Sequence, residues 1–381
     1  MFYLNDSSRV WHVAKVGNDG NSGHAGQYPI NLANDAKLTI GAAVTAAASG
    51  DKIIIWPGDY AENVNLGTKA LTLIGVSRNQ SKIVPATGNG VELTNNCILK
   101  NLSVEAIDTG TNSKGVSGSG KTNLIIEDCD IYGDWDAATL TNSNDVTLRN
   151  CRFRGKYDAA NVAAVQGLII ENCVFRGLGT HDTNTHCRGL MAAGARGTIS
   201  NSIFYAERAD VSTKDFGGID MIQGSQRAVL AIQNCEFYAK GGTNNTGNAF
   251  GIRVDFSNSV VSILNCAFYI ESSYAATKYD ITVANANALA VVSNCAWKNG
   301  LNGNVKVLNT LSPVDASGRV NLGTIKDVDA DILIKAIKLL KNKAVQDKLT
   351  GAIRYYDDDG QTVILTHTPS EDGTSVTRTV S

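Results

Sequence analysis

One ten-residue pattern recurs seven times along this chain, and it leaves few folds open. The copies are LIIEDCDIYG (124–133), VTLRNCRFRG (146–155), LIIENCVFRG (168–177), GTISNSIFYA (197–206), LAIQNCEFYA (230–239), VSILNCAFYI (261–270) and AVVSNCAWKN (290–299). A degenerate earlier copy, CILKNLSVEA, spans 97–106. Measured from Cys129 through Ser202 to Cys295, the steps are 22, 22, 29, 33, 31 and 29 residues. Such a period belongs to a solenoid, in which each unit buries its apolar face against its neighbours.

Within a copy the alternation is that of two strands with a bend between them. In LIIENCVF, Leu168 and Ile170 fall on one face, Asn172 turns the chain, and Cys173 and Phe175 point inward again. Asparagine suits the bend because it tolerates the left-handed backbone region and can hydrogen-bond locally. Coils stacked ~4.8 Å apart turn equivalent residues into columns. One column is an amide ladder of Asn150, Asn172, Asn201, Asn234, Asn265 and Asn294, with Asp128 at its start. A second holds Cys129, Cys151, Cys173, Cys235, Cys266 and Cys295, and a third holds Phe153, Phe175, Phe204, Phe237, Phe268 and Trp297. No 3.6-residue period runs through these positions. The pattern predicts an all-β chain, a right-handed parallel β-helix, whose coils lengthen by extending loops on one side. Function is expected where those loops cluster.

Composition agrees and excludes. Charged residues are 18% and apolar residues 43%, with 37 glycines, which suits short strands joined by polar turns. With 34 basic against 36 acidic residues there is no phosphate-tracking surface, so nucleic acid is not an expected partner. No apolar window of about 18 residues exists, so no membrane insertion is expected. MFYLNDSSRVWHVAK has neither a basic start with an apolar run nor a cleavage site and is not read as a secretory signal. The eight cysteines include no C-x-x-C pair, so neither metal nor cofactor is expected. Six occupy one core position, where Ser202 substitutes once, so free buried thiols and assembly in a reducing compartment are expected. Cys187 lies outside the register.

The ends read differently. Residues 1–50 form an N-terminal segment with a capping helix at roughly 38–48, ended by Gly50, before the β-helix of 51–310. KIIIWPG and LTLIGV (71–76) are its first strands. The helix, the following strand and the turn Pro57, Gly58 and Tyr60 resemble the start of pectin-lyase-like β-helix proteins, a likeness covering about residues 35–310. Residues 311–381 read as an oligomerisation segment. A helix over 331–351 carries Leu333, Ile337, Leu340 and Ala344 on one stripe, with lysines 335, 338, 341 and 343 around it. A hairpin follows around Asp359 and Gly360, and TSVTRTV adds a third strand. The segment is too small to own a core, which points to a homotrimer, the alternative being a helix packed back on its own solenoid. The tail resembles C-terminal segments of phage virion proteins.

Polysaccharide-active β-helices work with acidic pairs, or with a Lys or Arg base, on an exposed sheet face. Three loops could supply these. DIYGDWDAA offers Asp130, Asp134 and Asp136 around Trp135, which can hold a sugar ring. THDTNTHCRG offers His181, Asp182, His186 and Arg188, and STKDFGGIDMIQ offers Lys214, Asp215 and Asp220. The candidate catalytic carboxylates are Asp134, Asp136, Asp215 and Asp220. The candidate substrate-binding residues are Trp135, His181, His186 and Arg188. Asp in a Gly-rich loop is equally a turn former, and fold alone does not confer activity.

The resemblances imply a phage virion appendage of the tailspike type, a homotrimer assembled in the host cytoplasm. Its partners would be other virion proteins and a host surface glycan. Two alternatives stay open: a secreted, extracellular pectin-lyase-like lyase or hydrolase, and a non-catalytic structural or capsid decoration protein.

Overall fold

In the computed structural model of the chain, each of the first six motif copies is a pair of strands around a short bend, and the seventh is the strand Leu289–Ser293 followed by a single bridge at Ala296. The structure describes residues 9–24, 31–107, 112–179, 186–208, 213–222, 226–241, 246–271 and 277–308, together with the backbone of four strands within 344–380. LIIENC supplies Gln166–Glu171 and Val174–Gly177, and Asn172 between them sits at φ +53°. The equivalent residues, from Asp128 to Asn294, fall between +49° and +54°. Their side chains bond from coil to coil: Asn150 Nδ2 donates to Asp128 Oδ1 at 3.1 Å, and Asn265 Nδ2 to Asn234 Oδ1 at 3.2 Å. The ladder thus satisfies polar groups that a bend would otherwise leave unpaired.

Three parallel sheets result. Among the described residues, strands before the bend form a twelve-stranded sheet and strands after it a nine-stranded sheet. Strands beyond the variable loops form a ten-stranded sheet. The interior is the predicted pair of columns. Consecutive rings from Phe153 to Phe268 stack with centroids 4.9 to 5.2 Å apart. All eight cysteines are free and buried. Ser202 shows why the column accepts a hydroxyl. Its Oγ takes the Cys173 N–H at 3.1 Å, as the Cys151 thiol takes the Cys129 N–H at 3.4 Å. Cys97 joins Cys187 outside the column, since Leu102 takes the motif position in that early copy.

The twelve-stranded sheet already contains Val10–Val13, paired with Lys52–Ile55, so its first strand lies ahead of the helix. That helix is Ile40–Ala46, capped by the Thr39 side chain, and it buries Ile40, Ala43 and Val44. Glu62 accepts from the backbone N–H of Ile40 and Gly41 at 2.8 Å each. The segment read as a turn after Pro57 is instead the strand Gly58–Tyr60, paired with Ser81–Ile83; a Cβ on Gly58 would come 2.3 Å from the Lys15 side chain, and Tyr60 is buried with its hydroxyl on Trp56 O.

Residues Ser312–Ser381 form a second unit. Its described part is an antiparallel sheet of Ala344–Gln346, Ile353–Tyr356, Val363–Glu371 and Val376–Val380. Ile353–Tyr356 and Val363–Glu371 make the hairpin around Asp359 and Gly360, and Val376–Val380 is the third strand. The helix expected over 331–351 needs correction at its end. Ala344–Gln346 is a strand, because its backbone pairs with Ile353–Tyr356 and that ladder overrides helical spacing. Residues 331–343 lie outside the described residues.

Candidate functional site

The repeat continues past the second strand. GDWDAAT (133–139) and GKYDAAN (155–161) stand 22 residues apart, and Ala138 pairs with Ala160. Asp136 is therefore stacked on Asp158, Trp135 on Tyr157 and Asp134 on Lys156. The rings of Trp135 and Tyr157 lie 4.5 Å apart at 38°, Asp134 and Lys156 form an ion pair, and the Asp158 N–H reaches Asp136 Oδ1 at 3.4 Å.

The next coils extend this into a charged network. Asp158 pairs in register with Arg188, whose Nε lies 3.3 Å from Asp158 Oδ1 and 3.7 Å from Asp220 Oδ2. Arg188 Nη2 donates to the Tyr157 hydroxyl at 2.8 Å. One rung on, Arg253 pairs in register with Asp220 and grips it with two bonds of 2.9 and 2.7 Å. Arg253 also pairs with Asp215 and lies 4.4 Å over the Phe250 ring.

The network has two layers. Asp134, Asp136, Asp158, Asp220 and Arg188 are buried, none more than 5% exposed. This follows from the sheet itself, since Cys187–Met191 and Phe216–Met221 are buried on both faces. Above them Trp135, Lys156, Tyr157, His186, Asp215 and Arg253 are half-buried and form the rim.

Burial sets the electrostatics. It raises the Asp136 carboxyl to about 6, against the hydrogen bond from Thr139 Oγ1. It raises Asp158 well above the carboxylate range, opposed by Arg188, and neither Asp158 oxygen accepts a hydrogen bond among the described residues. Burial disfavours the Arg188 charge, but Asp158 and Asp220 outweigh it and keep the guanidinium protonated. Burial and the nearby Arg188 and Arg253 lower His186. Asp136 therefore keeps its proton to about pH 6, and Asp158, one coil away, is shifted in the same direction, as a general acid must be.

The structure brings together Asp136, Asp215, Asp220, Trp135, His186 and Arg188 from all three sequence clusters. Asp134 stands beside them on Lys156. Asp130 does not join: it lies before the loop, on the nine-stranded sheet, bonded to Arg78 and Arg152. His181 and Asp182 lie outside the described residues. Sequence reasoning missed Lys156, Tyr157, Asp158 and Arg253. The first three were legible as the next copy of DWD, and Arg253 as the register partner of Asp220.

No protein-family model matches the chain, and no curated protein matches it in sequence. Among solved structures, pectate lyase Pel9A matches at 14% identity and TM-score 0.53, over 86% of this chain and 87% of that one. Pectin methylesterase from carrot matches at 15% identity and TM-score 0.37, over 84% of this chain and 88% of that one. Tailspike protein 2 from Escherichia coli O157:H7 bacteriophage CAB120 matches at 11% identity and TM-score 0.46, over 66% of this chain and 40% of that one. In architecture the chain is a right-handed parallel β-helix, like pectate lyase Pel9A.

Proposed function

We propose that the chain is a virion appendage whose β-helix binds surface polysaccharide over the ten-stranded sheet, with Trp135 and Tyr157 as the sugar platform. One observation carries this reading: two half-buried rings, 4.5 Å apart, are held above a buried charge network. Arg188 fixes the Tyr157 hydroxyl from below, and Lys156, His186, Asp215 and Arg253 supply polar arms around the rings. Rigid rings offer apolar area to a sugar face at little entropic cost, and fixed polar arms select its hydroxyls. Buried ion pairs are poor sources of stability, so a network on this scale fits better as a support for the rim. The virion assignment draws on the free buried thiols and on a C-terminal unit too small for a core of its own.

A glycan array read with the full chain tests the proposal. At least one bacterial surface polysaccharide should be retained, and Tyr157→Ala and Trp135→Ala should each weaken it several-fold. Retention of none, or unchanged binding by both variants, overturns it.

An enzymatic reading is favoured by the Asp136 and Asp158 pair alone. The register places these two carboxyls one coil apart, and retaining glycoside hydrolases likewise work with two neighbouring carboxyls. Release of new reducing ends from the bound polysaccharide, lost in Asp158→Asn, would support it; intact polysaccharide would exclude it.

A further inference from the structure

The outer face of the nine-stranded sheet carries a second feature, away from the charge network. Residues facing outward there form two columns. One runs Lys82, Ser103, Asp130 and Arg152, and the other Glu105, Tyr132, Arg154 and Arg176. Between their early members lies a groove of about 550 Å³, lined by Lys82, Glu105, Ile107, Tyr132, Arg152 and Arg154 among others. Ligand sites run from about 300 to 1,000 Å³, so the groove suits a short oligosaccharide segment.

Its charges do not cancel. Lys82 is matched by Glu105 at 3.1 Å. Asp130 is shared by two guanidinium groups, those of Arg78 and Arg152. Arg154 is exposed and has no carboxylate partner among the described residues. Among the described residues that line the groove, three cations, Lys82, Arg152 and Arg154, face two carboxylates, Glu105 and Asp130, and Arg78 adds a further cation behind Asp130. A concave patch of one sign concentrates ligands of the other.

Arg154 is also pre-organised. Its guanidinium carbon lies 5.4 Å from the centroid of the Tyr132 ring, a cation–π contact that restrains the side chain. A guanidinium in that state offers a carboxylate two parallel hydrogen bonds at reduced entropic cost. Beside it Ile107, 47% exposed, gives an apolar wall for the uncharged face of a sugar ring.

We propose that this groove is a separate binding site for an acidic saccharide, in which Arg154, stacked on Tyr132, receives the sugar carboxylate. The inference shares with the proposed function only the premise that this chain meets glycans.

Titration calorimetry on the full chain tests it, with oligosialic acid and oligomannuronate as acidic probes and maltohexaose as the neutral control. At least one acidic probe should bind, more weakly as salt is raised, and maltohexaose should not. Arg154→Gln should weaken that binding about tenfold or more. Arg154→Lys keeps the charge but loses the fork and should fall between. Tyr157→Ala, on the other face, should leave it unchanged, so the two sites fail separately. Because Arg154 is exposed, the variants should keep the parent melting temperature, which is measured alongside. Acidic probes that bind no better than maltohexaose, or an Arg154→Gln protein that binds like the parent, would overturn the proposal.

Discussion

Asp158 and Arg188 face each other on adjacent rungs of the ten-stranded sheet, with Nε 3.3 Å from Oδ1 and neither side chain open to solvent. Removing one partner strands the other. Arg188→Met leaves Asp158 and Asp220 buried without their shared cation and should cost about 3–5 kcal/mol in a denaturant melt. Asp158→Leu combined with Arg188→Met should recover much of that loss. A single variant within about 0.5 kcal/mol of the parent would show that the pair is not buried as described.

The network also predicts a pH dependence. Asp136 rises from an ordinary 3.8 to about 6 in the folded chain, and Asp158 shifts the same way. Between about pH 4 and 6 the folded state therefore holds protons that the unfolded state has released. Stability should fall as pH rises through this window and level off, as far as Asp136 is concerned, above about 6. Asp136→Asn, which cannot ionise, should flatten the denaturant midpoint across the window. An identical pH profile in parent and variant would contradict the assignment.

Phe175 lies between Phe153 and Phe204 in the ring stack and is fully buried. Phe175→Ala should destabilise by about 3–5 kcal/mol, as large core truncations do. Denaturant midpoints measure this directly, and near-equal values would refute the column.

The eight thiols are free and buried. A thiol reagent should find close to eight reactive groups in denaturant without reductant, and few in the native protein. Four or more missing after unfolding would mean disulfides.

The two units give a prediction about assembly. Light scattering should place the full chain near three times its 40.3 kDa mass. Removal of 331–381 should leave a folded monomer, because coil-on-coil contacts stabilise the solenoid without the tail. A full-length monomer would remove the main support for the virion assignment. A trimer that survives truncation would move the interface to the solenoid itself.

Asp130 and Asp136 show where sequence reading stopped. They lie six residues apart on either side of Trp135, yet Asp130 is on the nine-stranded sheet and Asp136 in the turn just ahead of Ala138–Thr139 of the ten-stranded one. The bend and the turn into the ten-stranded sheet separate them, and local spacing does not reveal that turn. Asp158 was within reach, since GKYDAAN repeats GDWDAAT at the same 22-residue step as the cysteines. The end of the helix expected in the tail was missed for another reason. Its stripe of four-and-three steps is compatible with a helix, but pairing with Ile353–Tyr356 makes Ala344–Gln346 a strand.

The sequence by itself determined the coil, its bend and its core. A residue that must stack on its own equivalent every turn is constrained at each copy, so Asn172, Cys173 and Phe175 announce their positions by repetition. Only the tertiary structure decided which loop residues meet. Asp136, Asp158, Arg188, Asp220 and Arg253 come from coils of unequal length; register across the ten-stranded sheet sets Asp158 against Arg188 and, three residues farther along the strands, Asp220 against Arg253, and the Arg188 side chain bridges the two columns. The burial that shifts their protonation is likewise a property of the assembled sheet, whose strands Cys187–Met191 and Phe216–Met221 are buried throughout, and no single segment carries it.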